Sequence, residues 1–354
     1  MITRHLSRVF LCLSIAVLLG CDKDDSSTNP TPETSVLYPV QQNGKYGYMD
    51  KTGKLVVPAT YDFGSVFVEA FSVMLKVPND ATRASIRSNG KVGYIDNTGA
   101  LVVQPLYQEG SLYYDGLALV GDGSMHGYID KSGAVVIALQ YKDALDFTDG
   151  LAGASINGAK WGFIDKSGTT KTIFSFDDVT PFIGGLAGVK TGGKWGCIDK
   201  TGAMIIPATY DFIGPFSSGY AAVVAQGKAG YISTTGTVAV PLQYEAPAST
   251  YSYYSDGLFG IKSGGKVGFV NAGGSVAIAA QYDDAYFFSE GLAAVKKGDV
   301  WGFIDKTGTV KIQPQFFRAY PFTNGLSYVI VKVGSEYKYG WINTAGAYVW
   351  QPSM

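Results

Sequence analysis

One short block recurs along this chain and constrains everything else about it. An aromatic or small residue is followed by Gly, an aromatic, an aliphatic, and Asp or Asn, with a second Gly at a fixed distance. It reads Tyr46-Gly47-Tyr48-Met49-Asp50, then Val92-Gly93-Tyr94-Ile95-Asp96, then His126-Gly127-Tyr128-Ile129-Asp130, and so on to Tyr339-Gly340. The first glycine stands at Gly47, Gly93, Gly127, Gly162, Gly196, Gly230, Gly268, Gly302 and Gly340, at spacings of 34–38 residues apart from one of 46. A second follows each at the same offset: Gly53, Gly99, Gly133, Gly168, Gly202, Gly236, Gly274, Gly308 and Gly346. Two linked positions kept in every copy exclude coincidence, even among 46 Gly. A period of this size is the mark of a repeat array whose units cannot bury their faces alone.

The stretch from Gly291 to Tyr320 shows the grammar of a unit. Leu292 to Lys296 is strand-like, and Lys297-Gly298-Asp299 reads as a tight turn. Trp301 to Asp305 is a second strand, and Asp305-Lys306-Thr307-Gly308 a second turn, in which Asp accepts backbone hydrogen bonds and Gly takes the left-handed conformation. A third run, Thr309 to Gln313, ends at Pro314, which cannot donate to a ladder. The link from Phe316 to Phe322 has room for a short fourth strand. Leu292 and Ala294 share one face of the first strand, Ala293 and Val295 the other, so both faces are apolar and both need cover. Neighbouring units supply it. The glycine of Trp-Gly is expected to let a large ring lie flat against bare backbone.

The block Trp161-Gly162-Phe163-Ile164-Asp165-Lys166-Ser167-Gly168, with its copies at Trp195 and Trp301, resembles the WG-repeat family, also called KWG repeats. The resemblance spans about residues 36–352; it implies an all-β repeat domain and no particular activity. Val92, His126, Ala229 and Val267 stand in place of the Trp, and the fourth unit lacks the Pro after its third strand. These departures read as variations in packing.

The expected fold is a tandem array of nine short antiparallel β-meander repeats. Two architectures bury both faces of each unit: a propeller-like ring, and an open β superhelix. The repeats run in phase from start to end, so no strand is left over at the C-terminus to complete the first, which weighs against closure. The need to hide sheet edges weighs more, and the ring is favoured.

The N-terminus is read separately. Arg4 and Arg8 precede an apolar run, Val9 to Leu19, too short to span a bilayer. It ends in Leu18-Leu19-Gly20-Cys21, which resembles the lipobox of bacterial lipoproteins. The resemblance implies a signal peptide over residues 1–20, lipidation of Cys21, a polar tether over 21–35 and a repeat domain over 36–354. Lys23-Asp24-Asp25 is similar to the acidic signal that sends some lipoproteins to the outer face of the outer membrane, so a cell-surface location is expected. Several acyl chains on one Cys anchor a protein stably. With Cys12 removed and Cys21 acylated, Cys197 stands alone and no disulfide framework exists. A formal net charge of −1 gives no field to draw nucleic acid.

Chemistry is sparse. The one His beyond the leader, His126, occupies a packing position of the repeat, and Cys197 replaces a Phe or Tyr, so neither points to catalysis. Asp50, Asp96, Asp130, Asp165, Asp199 and Asp305 open equivalent turns, where capping explains them without a metal. No cofactor is expected, and no enzyme. Function is sought where units depart from the repeat. Pro78 to Asn89 lengthens the first turn of the second unit, and Ala246 to Asp256 lengthens a link. Tyr113, Tyr114, Tyr251, Tyr253 and Tyr254 are the candidate ligand-binding residues, since exposed Tyr offers a flat apolar face with a hydroxyl; the alternative is that they cover neighbouring units. The expected function is a lipid-anchored binding or scaffolding protein for a glycan, peptide or protein partner. A structural subunit of an envelope assembly and an unrecognised hydrolase are the alternatives.

Overall fold

The computed structural model describes residues 36–66, 82–246 and 254–353, and among them are strands and turns but no helix. Nine separate antiparallel sheets follow one another, the blades of a β-propeller, over residues 38–61, 63–107, 109–141, 143–176, 178–210, 212–245, 254–282, 284–316 and 318–353. Blade 5 shows the pattern: strand a, Asp178–Val179; strand b, Leu186–Thr191; strand c, Lys194–Asp199; strand d, Met204–Tyr210, paired in that order.

A blade is displaced by one strand from the unit read in the sequence. The link after each third strand does form a short strand, but that strand belongs to the next sheet: Asp178 pairs with Lys190 and Val179 with Val189. Each blade after the first is therefore completed by main chain from the preceding unit. Among the described residues blade 1 follows no earlier unit and has three strands, Tyr38–Gln42, Lys45–Met49 and Leu55–Tyr61.

The turns follow from sequence directly. Asn43-Gly44, Asn89-Gly90 and Gln226-Gly227 close the b–c hairpins with φ of 51° and 75°, 50° and 74°, and 51° and 73°. These are the paired left-handed residues of a two-residue hairpin whose twist matches its strands. The glycine of Trp-Gly has a reason other than the expected one. Trp195 pairs with Tyr210 but Cys197 with Ile206, so strand d bulges between them and folds back over Gly196. A Cβ on Gly196 would lie 2.5 Å from the Ile206 carbonyl oxygen; on Gly302 it would lie 2.6 Å from that of Ile312. What needs the bare backbone is the blade's own outer strand, not an aromatic ring.

Both faces of each blade are packed, as the alternation predicts. On blade 8, Ala293, Val295 and Ile304 join Phe269 and Phe288 on one side. Ala294, Trp301, Phe303 and Ile312 join Phe322, Val329 and Ile342 of blade 9 on the other. One contact recurs: the ring after the first glycine meets an aromatic of the next blade nearly edge to face. Tyr128 and Phe147 lie 4.7 Å apart, Phe163 and Phe182 4.6 Å, Phe269 and Phe288 4.9 Å. Such pairs are worth about 0.5–1.5 kcal/mol beyond their buried area.

The second glycine proves the closure. Its φ lies between 81° and 88° in every copy, and its Cβ position abuts strand d of the preceding blade: Gly99 against Val57, Gly133 against Val103, Gly346 against Ile312. Gly53 of blade 1 makes the same contact with Val349 of blade 9. Across this seam the Trp341 indole N–H donates to the Pro39 carbonyl at 2.9 Å, and Tyr38 meets Trp341 edge-on at 5.2 Å. Tyr38, Val40, Met49, Leu326, Tyr328 and Trp341 form one buried cluster there. The array is thus a closed ring of nine blades rather than an open superhelix, and side chains close it where no strand is exchanged.

Candidate functional site

The ring has two faces with different chemistry. One carries the c–d turns and the a–b turns. The chain enters the ring on this face, because Tyr38 pairs with Met49, the residue before the Asp50 turn. Here the repeated aspartates are consumed by their own turns. Asp50 Oδ1 accepts from the Thr52 N–H at 2.8 Å, the Thr52 hydroxyl at 2.6 Å and the Lys54 N–H at 3.1 Å. The hydrogen bond from Thr52 leads in holding the Asp50 carboxyl below its ordinary range; the Thr201 hydroxyl does the same for Asp199. Among the described residues no group of His, Cys, Asp and Glu is placed to hold a metal ion. The a–b turns are tied from blade to blade: Asp115 accepts from the Gly150 N–H at 2.6 Å, and Asp149 from that of Gly185 at 2.7 Å.

The other face carries the b–c hairpins. Lys45 meets Asp62 at 2.6 Å and Lys160 meets Asp177 at 2.5 Å; Lys194–Asp211 and Lys266–Asp283 repeat the pair. Each aspartate sits where the chain crosses to the next blade. Asp62 also accepts from the Asn89 N–H of the next hairpin, as Asp283 does from Gly298. These pairs are half exposed and set register more than they add stability.

Between blades 6 and 7 this face opens. In two of the three copies that carry Trp before the glycine, the indole is wedged into the junction: Trp195 and Trp301 are 8% and 5% exposed. In blade 6 that position is Ala229, and a shallow solvent-open depression of about 20 Å³, room for about one water, lies beside it. Ala222, Ala229 and Gly230 border it together with Phe212, Tyr231, Tyr244 and Ile261, and Glu245 and Lys262 supply one acid and one base. Its lining is mostly apolar with one acid and one base at the rim, a surface feature rather than an enclosed pocket. Its sequence signal is the substitution at Ala229, read above only as altered packing.

The aromatic candidates are placed as follows. Tyr113 is fully buried in strand a of blade 3, Glu109–Tyr114; it packs on Tyr94 at 5.0 Å and donates its hydroxyl to the Asp130 carbonyl at 2.9 Å. Tyr114 is also buried. Tyr113 covers the neighbouring unit, and the exposure expected of this pair is corrected: neither offers an open ring. Tyr254 is half-buried, with its ring 4.5 Å from Phe259 and 4.8 Å from Tyr220. Tyr251 and Tyr253 lie outside the described residues, as do Cys21 and the segments 1–20 and 21–35 expected to be a signal peptide and a tether. The insertion near Pro78 is not in the hairpin turn: Arg83–Ser88 is strand b and Asn89-Gly90 its two-residue turn, so the added length falls between strands a and b. His126 is buried, its Nε2 2.8 Å from Glu109 Oε2. Cys197 is buried, and desolvation pushes its thiol up to about 12.

Comparison with known proteins agrees with this geometry. A model described as WG containing repeat matches residues 46–76, 93–123, 127–158, 161–195, 195–228, 230–266, 268–301 and 301–337. The chain belongs to this WG-repeat family. Each WG match begins on strand c of one blade and runs into the next blade, so eight matches bridge the eight chain-crossed junctions and the ninth junction is the seam. No curated protein matches. Among solved structures, a eukaryotic initiation factor is similar at 12% identity, with 89% of this chain and 94% of that chain covered and a TM-score of 0.60. That likeness is one of fold. PorZ, a surface component of the type-IX secretion system of Porphyromonas gingivalis, aligns at 12% identity over 77% of this chain and 43% of its own, with a TM-score of 0.35. Hsv2 of Kluyveromyces lactis aligns at 8% identity over 74% and 94%, with a TM-score of 0.41.

Proposed function

We propose that this WG-repeat propeller is a lipid-anchored cell-envelope binding protein that holds a small glycan or peptide segment at the b–c face, over the depression between blades 6 and 7. The observation that carries the reading is Ala229 in the wedge position, beside an apolar depression edged by Glu245 and Lys262. The address rests on Leu18-Leu19-Gly20-Cys21 and the polar stretch after it. Entry of the chain on the opposite face supports the arrangement, since a tether from Cys21 leaves the b–c face turned away from the membrane. Binding without catalysis fits a domain whose one His, His126, packs against Glu109 at a blade junction.

Ala229→Trp restores the wedge and tests the site. Envelope glycans and peptides retained by the purified protein should be lost on this substitution while the fold persists; unchanged retention sinks the depression as the site. Cys21→Ala should abolish metabolic palmitate labelling, and a label that survives refutes the anchor.

A further inference from the structure

Where the Lys–Asp pair of the b–c face is replaced, one junction puts two apolar residues in its place. At the junction of blades 8 and 9 the two register positions, Lys266 and Asp283 one junction earlier, are held by Val300 and Phe317. Phe317 is 40% exposed and lies 4.7 Å from Tyr337, itself 41% exposed, with the rings tilted by 50°. Tyr337 rides on a hairpin longer than its counterparts: strands Leu326–Val333 and Glu336–Asn343 have 8 residues each, against 6 in Leu292–Lys297 and Val300–Asp305. The ladder runs on to Val333 and Glu336, while strand a pairs no further than Ile330 and strand d no further than Tyr339. The tip therefore stands clear of the sheet.

One cation lies over the pair, and others stand in the same strands. Lys332 Nζ lies 5.8 Å from the centre of Tyr337, and Arg318 follows Phe317 and lies 5.9 Å from the centre of Tyr320. Lys297 pairs opposite Val300, and Val331 opposite Lys338. Against these four stand Asp299 and Glu336. In a chain of net charge −1 this is a positive excess on the strands that carry the two exposed rings.

We infer that this aromatic pair and its cations form a second binding surface, distinct from the depression at Ala229, for an acidic polysaccharide. Aromatic faces stack on the apolar C–H face of a sugar ring, and lysine and arginine pair with its carboxylates. A peptide strand is disfavoured because the free edges of the hairpin tip are too short to extend a ladder. A lipid headgroup is disfavoured because the patch lies on the face opposite to chain entry. The inference rests on the reading of the protein as a binder and not on that depression.

The test returns the junction to the repeat's own rule. In the full-length protein, Val300→Lys with Phe317→Asp recreates the Lys–Asp pair found at four other junctions, so folding is preserved while the patch is removed. Calorimetric titration uses oligogalacturonate, neutral dextran of matched length and polyglutamate as probes. The wild type should bind oligogalacturonate more weakly as salt rises and should bind dextran little. The double variant should lose at least tenfold in affinity with an unchanged far-ultraviolet spectrum. Ala229→Trp should leave this binding intact even where it abolishes retention at the depression. Equal binding by the double variant overturns the proposal, as does no binding of oligogalacturonate by the wild type. Polyglutamate binding as tightly as the sugar also overturns it, and would make the patch a plain cationic surface for acidic protein.

Discussion

The seam between blades 9 and 1 is the one junction that main chain does not cross, and Trp341→Phe probes it. The indole is 1% exposed and gives its N–H to the Pro39 carbonyl, a buried bond. Phenylalanine leaves that carbonyl without its donor, a loss of about 1–3 kcal/mol. The smaller ring forfeits roughly 1 kcal/mol of buried area. The loss of about 2–4 kcal/mol is a large part of a typical total stability of about 5–15 kcal/mol, yet it leaves the ring folded. It should fall on local opening. Amide exchange in Tyr38–Gln42 and Glu336–Asn343 should quicken by about thirtyfold to several hundredfold, at 1.4 kcal/mol per tenfold. Phe303→Leu is the matched control, because Phe303 holds the same repeat position at a junction that the chain spans. Its effect should not concentrate at the seam. Exchange that rises evenly around the ring in Trp341→Phe would refute the claim that side chains alone close it.

Other outcomes follow from the repeat positions. Gly302→Ala sets a methyl against the Ile312 carbonyl, where backbone must move, and should lower the urea midpoint by the equivalent of about 1–3 kcal/mol; an unchanged midpoint contradicts the bulge-over-glycine account. The turn aspartates give an acid limb. Their folded carboxyls titrate below the ordinary value of about 3.9, so the stability they contribute is complete above that pH and is lost as pH falls through their lowered range. Asp305→Asn keeps the acceptor, as Asn343 does in blade 9, where its Oδ1 takes the Ala347 N–H at 3.0 Å. It should leave stability at neutral pH nearly unchanged and flatten the acid limb of urea midpoints measured between pH 2 and 5 (an order-of-magnitude window set by the same carboxyl range). An equally steep limb contradicts the assignment.

Much of the fold was legible because two glycines per unit answer to backbone constraints that no other residue meets. Gly196 lies under the bulge of strand d, and Gly202 at φ 88° closes the turn against the preceding blade. The phase of the blades was not legible. Strand a is two residues long in most copies, as in Asp178–Val179, too short for alternation to register, and nothing local says that it pairs forward. The burial of Tyr113 bears out the alternative that such rings cover neighbouring units: it follows Tyr94 by the same interval that separates Phe147 from Tyr128 and Phe182 from Phe163, so it is the repeat's own packing ring. Ala229 and Phe317 carry signals of another kind. Each is unremarkable alone and becomes informative only when the residue expected in that register is known to be a wedge or one half of an ion pair.

The missing fourth strand of blade 1 has a bearing on biosynthesis. Tyr38, Val40 and Met49 are made well before their cover, Trp341 with Leu326 and Tyr328, which lies at the far end of the repeat array. Until the final hairpin emerges, the growing polypeptide carries a bare greasy flank at its leading end, near the point where a tether would hold it. A product truncated anywhere before Trp341 keeps that flank permanently, so completeness of translation is displayed at the opposite terminus, where a protease or holdase can read it.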